Sequence, residues 1–377
     1  MGLFGALCAA KRGLAVTLLD RGFRGYSRGH ATLLHPATLR LMSEYGLSAQ
    51  LLAAGRPIAS IDLRLDQEFT ANLKLTTPAL TIAQSVFEEI LLKELHGAEV
   101  DIQTPWEANS LVQMAAGVEV RATRRELIQH GSPVREADWQ PVESTVFYAQ
   151  FVLGADGRES RVRSALGIET SNAGPPERYA MFDAPRQSPL SDFALSFWRG
   201  LGDVALPLAD SCGRWGFQIE NDAAIVPDVD HLRALLVERA MWEPELPDQV
   251  HWSAVNQFDR RLARAFGRGR VWLAGDAAHV TSPFGGQSVN GGLLEVCELV
   301  ELMAGCLSGS EAIDELDRAS ARREREWQKL LGFHTRIETR PGLPHAVAEY
   351  APRIIPALPA SGRDLQYLLS QLGVTAY

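Results

Sequence analysis

The first apolar rhythm in the chain has a helical period. Leu3, Ala6, Leu7 and Ala10 share one face over residues 3–12, and Gly13 ends the run. The next stretch, Ala15-Val16-Thr17-Leu18-Leu19, is almost continuously apolar, as a strand buried on both faces would be, and Asp20 closes it. Pro36 at a first helical position opens a second predicted helix over 36–45, which Gly46 stops. Residues 57–83 carry short period-two pieces such as Ile61-Asp62-Leu63-Arg64-Leu65, and 86–95 returns to a helical pattern. Strands are predicted at 118–122 and 145–153, around a polar segment from Arg124 to Glu143. After the break Gly174-Pro175-Pro176, runs at 193–198, 204–208 and 214–219 are separated by glycine-containing turns, which predicts an antiparallel meander. Beyond Trp252 the alternation of strand (271–274) and helix (291–307) resumes, and the tail from Glu311 is expected to be mainly helical with breaks at Pro341, Pro344, Pro352, Pro356 and Pro359. A β-rich insert within an α/β unit accounts for this order.

Composition narrows the function classes. A formal net charge of -9 with no Lys/Arg run argues against nucleic acid as a partner. Cys8, Cys212, Cys297 and Cys306 form no CxxC pair and no zinc spacing, so reduced thiols and no bound metal are expected. No apolar run reaches the roughly 20 residues that span a bilayer. Residues 3–10 lack a preceding basic region, and Ala6 stands where myristoylation would need Ser or Thr. The expected location is the cytoplasm.

Two motifs carry the chemistry. Residues 151–163, Phe-Val-Leu-Gly-Ala-Asp-Gly-Arg-Glu-Ser-Arg-Val-Arg, read as a strand, an Asp156-Gly157 turn and a helix start. Residues 269–279 read Gly-Arg-Val-Trp-Leu-Ala-Gly-Asp-Ala-Ala-His and continue into Pro283-Phe284-Gly285-Gly286-Gln287-Ser288-Val289-Asn290-Gly291-Gly292. Glycines in such a loop let backbone approach a flat ring without a Cβ clash, and a helix N-terminus beginning near Ser288 favours negative charge. Together these stretches resemble the DG and GD motifs of class A FAD-dependent monooxygenases, the p-hydroxybenzoate hydroxylase-like aromatic-ring hydroxylases. The resemblance covers nearly all of residues 2–305 and is specific at 151–163 and 269–292.

That resemblance implies a Rossmann-like parallel sheet binding FAD and NAD(P), an inserted mixed or antiparallel β-sheet that walls the substrate pocket, and a helical C-terminus. The expected division is 1–56, 80–168 and 254–308 for the FAD-binding domain, 57–79 and 169–253 for the β-rich substrate domain, and 309–377 for the helical region. Gly2 stands where the last glycine of a GxGxxG fingerprint would be, so the first strand and two phosphate-contacting glycines are expected to be encoded upstream of the assigned start.

The implied cofactor-binding residues are Gly2, Asp20 at the adenosine ribose, Arg21, Arg28, Gln84, Asp156, Gly157, Gly275, Asp276 at the ribityl chain, Pro283, Gly286, Gln287, Ser288, Val289 and Asn290. His30 departs from the arginine that many relatives carry, which puts a nicotinamide contact there in doubt, and His279 reads as a packed structural histidine. No substrate base is identifiable. The family reaction uses NADPH or NADH to reduce FAD, adds O2 at the flavin C4a position, and passes the distal oxygen of the hydroperoxide to an electron-rich aromatic, phenolic or polyketide-like substrate. A monomer or homodimer is expected. Two alternatives stay open. One is a related epoxidase, halogenase or reductase, although the halogenase signature WxWxIP is absent. The other is a non-catalytic remnant unable to hold FAD.

Overall fold

The structure is a computed structural model that describes residues 1–22, 31–98, 100–130, 136–186, 193–209, 211–220, 225–240, 246–333 and 337–376. The fold is mixed α/β, with parallel pairing, a large mixed sheet and a helical C-terminal part. Helices among the described residues are α1 (Gly2–Lys11), α2 (Pro36–Glu44), α3 (Ser48–Ala54), α4 (Gln84–Gly97), α5 (Arg161–Ala165), α6 (Val229–Arg239), α7 (Gln287–Ser308), α8 (Asp314–Leu331), α9 (His345–Ala357) and α10 (Gly362–Leu372).

The apolar face of α1 buries Phe4, Leu7 and Cys8 in a core shared with α2, α4 and α7. Two short parallel pairs flank this core. Thr17–Leu19 pairs with Asp101–Gln103, and Val152–Gly154 pairs with Val271–Leu273. The two pairs belong to separate sheets, and α1 packs close to both. At Gly2 an added Cβ would stand 3.5 Å from Leu18 Cδ1 and 3.9 Å from Ala155 Cβ, and at Gly5 one would stand 2.9 Å from Leu153 Cδ2.

The large sheet has eight strands in the order Trp252–Phe258, Glu177–Pro185, Cys212–Ile219, Leu201–Pro207, Phe193–Trp198, Arg56–Leu65, Glu68–Ala83, Ala31–Leu34. Every pairing is antiparallel except Phe193–Trp198 with Arg56–Leu65. Side-chain alternation splits it cleanly. Phe193, Leu195, Phe197, Val204 and Met181 join the core closed by α9 and α10, while Ala194, Ala205, Trp215 and Phe217 pack under α6. Buried ion pairs sit within it: Arg214 clamps Asp183 through Nε at 2.6 Å and Nη2 at 2.7 Å, and Arg239 grips Asp203 from α6.

Two expectations are corrected. The polar segment 124–143 is not a break in the strands. Val118–His130 and Glu136–Ala149 run through it as a long antiparallel pair, tied by cross-strand contacts such as Arg124 Nε to Glu143 at 3.0 Å. In the tail, Pro352 and Pro356 lie inside α9 and do not end it. Burial of Val347, Tyr350, Ile354 and Ile355 outweighs the local cost of the missing amide donors.

Candidate cofactor and substrate site

The site is built on two helix starts. Gly285 (φ 71°) and Gly286 (φ 65°) take consecutive left-handed conformations that L side chains adopt at a cost, which turns the chain sharply into α7. Among the described residues no side chain caps α7 or α1, so their first-turn amides have no side-chain acceptor there. His35 holds the turn from below. Its Nε2 meets the Gly285 carbonyl at 2.5 Å, and its backbone amide donates to Asn290 Oδ1 at 2.7 Å. Burial pushes the His35 ring down to about pH 4. It is therefore neutral, and its one proton goes to Gly285.

Both helix starts open into a cleft of about 800 Å³, inside the range of ~300–1,000 Å³ that holds cofactor-sized ligands. Gly2, Asp20, Arg21 and Gln84 line it, together with Gly157, Asp276, Pro283, Gly286, Ser288 and Val289. Ten of the residues expected from sequence thus converge on one cavity. Asp20 also accepts the Gly22 amide at 2.7 Å, and Gln84 donates to Glu88 at 2.8 Å.

Four expected residues are turned elsewhere. Asp156 accepts the Arg161 and Val162 amides at 2.7 and 3.0 Å, which caps α5 together with Ser160. Gln287 is buried and donates to the Leu358 and Ala360 carbonyls. Asn290 donates to the carbonyls of Leu33 and Gly286. Gly275 (φ 60°) faces Met1, whose Cγ would lie 2.5 Å from an added Cβ. Asp156, Gln287 and Asn290 shape the loops with their side chains and do not present them to the cleft. Arg28 and His30 lie outside the described residues.

Electrostatics at the inner end are mixed. The Asp276 carboxylate reaches the cleft's solvent yet is surrounded by protein. Burial raises its pKa, opposed by His279, the chain's amino terminus, Arg261 and Arg158. The Met1 amine is buried there, its pKa lowered by burial and supported by Asp276 and Glu88. Met1 also fills the notch at Gly275 and Gly292. Arg163 locks the two motifs together by donating to the Ala277 and Arg158 carbonyls, both at 2.9 Å. His279 is packed, as expected: it contacts Glu295 Oε2 at 2.7 Å and stacks on Trp327 at 3.7 Å.

The same cleft has an apolar wall that sequence reasoning only partly located. Phe193 lines it, with Met181, Val204, Leu206, Phe258 and Phe284, while Trp215 and Phe217 face the opposite side of the sheet. Polar points on this wall are Arg214, Asn256, Gln257, Thr281 and Ser282. Arg214 lies 5.2 Å under the Trp252 ring and is already paired with Asp183. A cavity that takes in two helix starts and an aromatic-lined wall suits a long anionic cofactor and a flat apolar co-ligand. The glycine turn and the open amides of α7 fit a flavin ring edge. The α1 start and Arg21 fit a pyrophosphate.

Comparison with known proteins agrees with this geometry. A family described as FAD binding domain matches residues 1–334. The 6-methylpretetramide 4-monooxygenase of Streptomyces rimosus is 28% identical over 353 residues, covering 90% of this chain and 60% of that protein. The chain thus spans about 60% of that relative's length. The crystal structure of p-nitrophenol 4-monooxygenase from Pseudomonas putida DLL-E4 superposes with a TM-score of 0.71 at 21% identity, over 98% of this chain and 93% of that one. A ternary complex of aklavinone-11 hydroxylase with FAD and aklavinone gives 0.70 at 21% identity, over 97% and 70%.

Proposed function

We propose, from the premise that this chain belongs to the FAD-binding-domain family, that it is an FAD-dependent monooxygenase. It would use NADPH or NADH and O2 to hydroxylate an aromatic, phenolic or polyketide-like small molecule. One observation carries this reading: both cofactor helix starts and the apolar sheet wall open into one cleft. The named substrates of the relatives, 6-methylpretetramide and p-nitrophenol among them, support the aromatic class.

In this reading Asp20 accepts from the adenosine ribose. The α1 amides at Gly2 and the Arg21 guanidinium meet the pyrophosphate, and Asp276 accepts from ribityl hydroxyls. Pro283, Gly286, Ser288 and Val289 lie against the ring, and Gln84 and the Gly157 turn complete the cradle. Bound FAD supplies the redox chemistry and the activation of O2. The protein's part is binding, orientation and the exclusion of water. Met181, Phe193, Leu206 and Phe258 exclude water from the reacting face. Asn256, Thr281 and Ser282 donate to or accept from substrate hydroxyls. Arg214, held by Asp183, gives an oriented guanidinium without a net charge that a neutral ring would have to desolvate.

The test has two readouts. Purified protein incubated with FAD and desalted should retain a flavin spectrum, and Asp276→Ala should lower that retention at least tenfold. NAD(P)H oxidation with O2 uptake should then rise on adding phenols. No retained flavin in the wild type, or retention unchanged in Asp276→Ala, would overturn the assignment. Flavin binding without phenol-stimulated turnover would overturn the hydroxylase reading alone.

A further inference from the structure

Behind the apolar wall of the cleft runs a short chain of hydroxyls that ends on a carboxylate. Ser282 lines both the cleft and a smaller side pocket, whereas Tyr179 and Glu177 line the side pocket and not the cleft. The Tyr179 ring is buried, packed edge-on by Phe284 at 4.7 Å and by Phe258 at 5.7 Å, and both of those rings line the cleft. Tyr179 Oη donates to Glu177 Oε2 at 2.7 Å and lies 3.3 Å from Ser282 Oγ. On its far side, the Glu177 carboxylate lies 3.9 Å from the Arg260 guanidinium.

The direction of each proton in this chain follows from its end. A carboxylate has acceptors only, so the Tyr179 hydroxyl proton is committed to Glu177. Tyr179 keeps that proton, because burial and then the Glu177 charge push its pKa up. The phenolic oxygen therefore accepts from Ser282, and the Ser282 proton is committed in turn. Ser282 Oγ has lone pairs left to offer. Thr281 beside it also turns its proton into the protein, toward the Ser282 carbonyl at 3.1 Å or Ser288 Oγ at 3.4 Å. Because Glu177 does not line the cleft, Tyr179 carries its polarity inward without its charge, and an apolar ligand has no carboxylate to desolvate.

We infer that Ser282, held as an acceptor by Tyr179 and Glu177, is a specificity-determining residue that selects aromatic ligands bringing a neutral hydroxyl or amino donor and rejects their methyl ethers. The inference rests on the proposed aromatic reading of the cleft and narrows it. A hydroxyl at Ser282 donates to the waiting lone pair. An ether there sets lone pairs against lone pairs and leaves the acceptors without a proton, which lowers affinity by roughly tenfold or more. Tyr179 and Glu177 are positioning residues, since they touch Ser282 and not the ligand.

The experiment is calorimetric binding of 2-naphthol, 2-naphthylamine and 2-methoxynaphthalene to the purified full chain with FAD present, at pH 7, where the naphthol is un-ionised. Wild type should bind the naphthol and the amine roughly tenfold or more tightly than the ether. Tyr179→Phe frees the Ser282 proton directly. Glu177→Gln offers Tyr179 an amide donor, which lets the phenol donate to Ser282 and again turns the Ser282 proton to the cleft. Both variants should bind the ether several-fold more tightly than wild type does, a gain that a loosened structure would not produce. Ser282→Ala should weaken naphthol binding and bring naphthol and ether close to level. Equal binding of naphthol and ether by wild type would overturn the inference and leave the aromatic reading standing. So would a preference for naphthol that is unchanged in both Tyr179→Phe and Glu177→Gln. Binding of none of the three compounds would overturn the inference and the aromatic reading together.

Discussion

At the residue scale, the buried polar groups are where small changes should have large effects. His35 is fully buried, its Nε2–H is committed to Gly285, and Nδ1 has no hydrogen-bond partner among the described residues. A second proton would therefore enter a buried site with nothing to receive it. Its folded pKa of about 4 lies below the ordinary 6.5. The unfolded chain accordingly binds more protons between those values, and stability falls as pH drops from about 6.5 toward 4. The difference is worth up to about 3 kcal/mol. Denaturant titrations of wild type and His35→Gln across this window should converge as pH falls, because the substitution removes the penalty. Parallel curves would refute the assignment. The Arg239–Asp203 pair makes a second case, since both side chains are 4% exposed. Arg239→Met leaves an uncompensated buried carboxylate and should cost roughly 3–5 kcal/mol, whereas Arg239→Met with Asp203→Leu should recover most of it. Chemical denaturation of the single and double variants measures the coupling.

At the element scale, the start of α7 decides whether the cleft exists. An added Cβ at Gly285 would stand 2.5 Å from the Pro356 carbonyl oxygen and 2.9 Å from the Ala357 carbonyl carbon, on a backbone already at φ 71°. Gly285→Ala should therefore combine backbone strain with a clash against α9. A loss of about 1–3 kcal/mol is expected, along with weakened FAD retention, both readable from one thermal melt with and without FAD. This element was also the most legible from sequence. Gly-Asp-Ala-Ala-His and Pro-Phe-Gly-Gly-Gln-Ser-Val-Asn leave few backbone solutions, so residue types there report geometry directly. What sequence missed shows the complementary limit. Arg214 and Asp183 come from strands 31 residues apart, and only the sheet register brings them together at the cleft. Asp156, Gln287 and Asn290 lie within those motifs, yet a motif does not say whether a side chain turns to ligand or to protein, and theirs bond to backbone. The strands through 124–143 were obscured because their exposed faces are polar, which erases the period-two signal. Pro352 and Pro356 looked like helix ends because local propensity cannot see the apolar residues that α9 buries.

At the scale of the whole molecule, the question is whether the α/β part and the large sheet behave as one body. Three features couple them. The strand Ala31–Leu34 leads into α2 yet completes the edge of the eight-stranded sheet. Gln287 at the start of α7 is bonded to the chain that follows α9. Phe284, in the loop before α7, packs edge-on against Tyr179 of the large sheet with ring centroids 4.7 Å apart. Because the cleft takes walls from both parts, a ligand that fills it stabilises the assembled state of both. Saturation with FAD at about a hundredfold its Kd adds roughly 2.7 kcal/mol. With an unfolding entropy near 2.1 cal/mol/K per residue, a chain of 377 residues should melt about 3 °C higher. The expectation is one calorimetric transition that moves as a unit when FAD is added. Two transitions, of which FAD moves only the one containing α1 and α7, would show that the sheet folds independently and that the shared cleft does not couple the two parts.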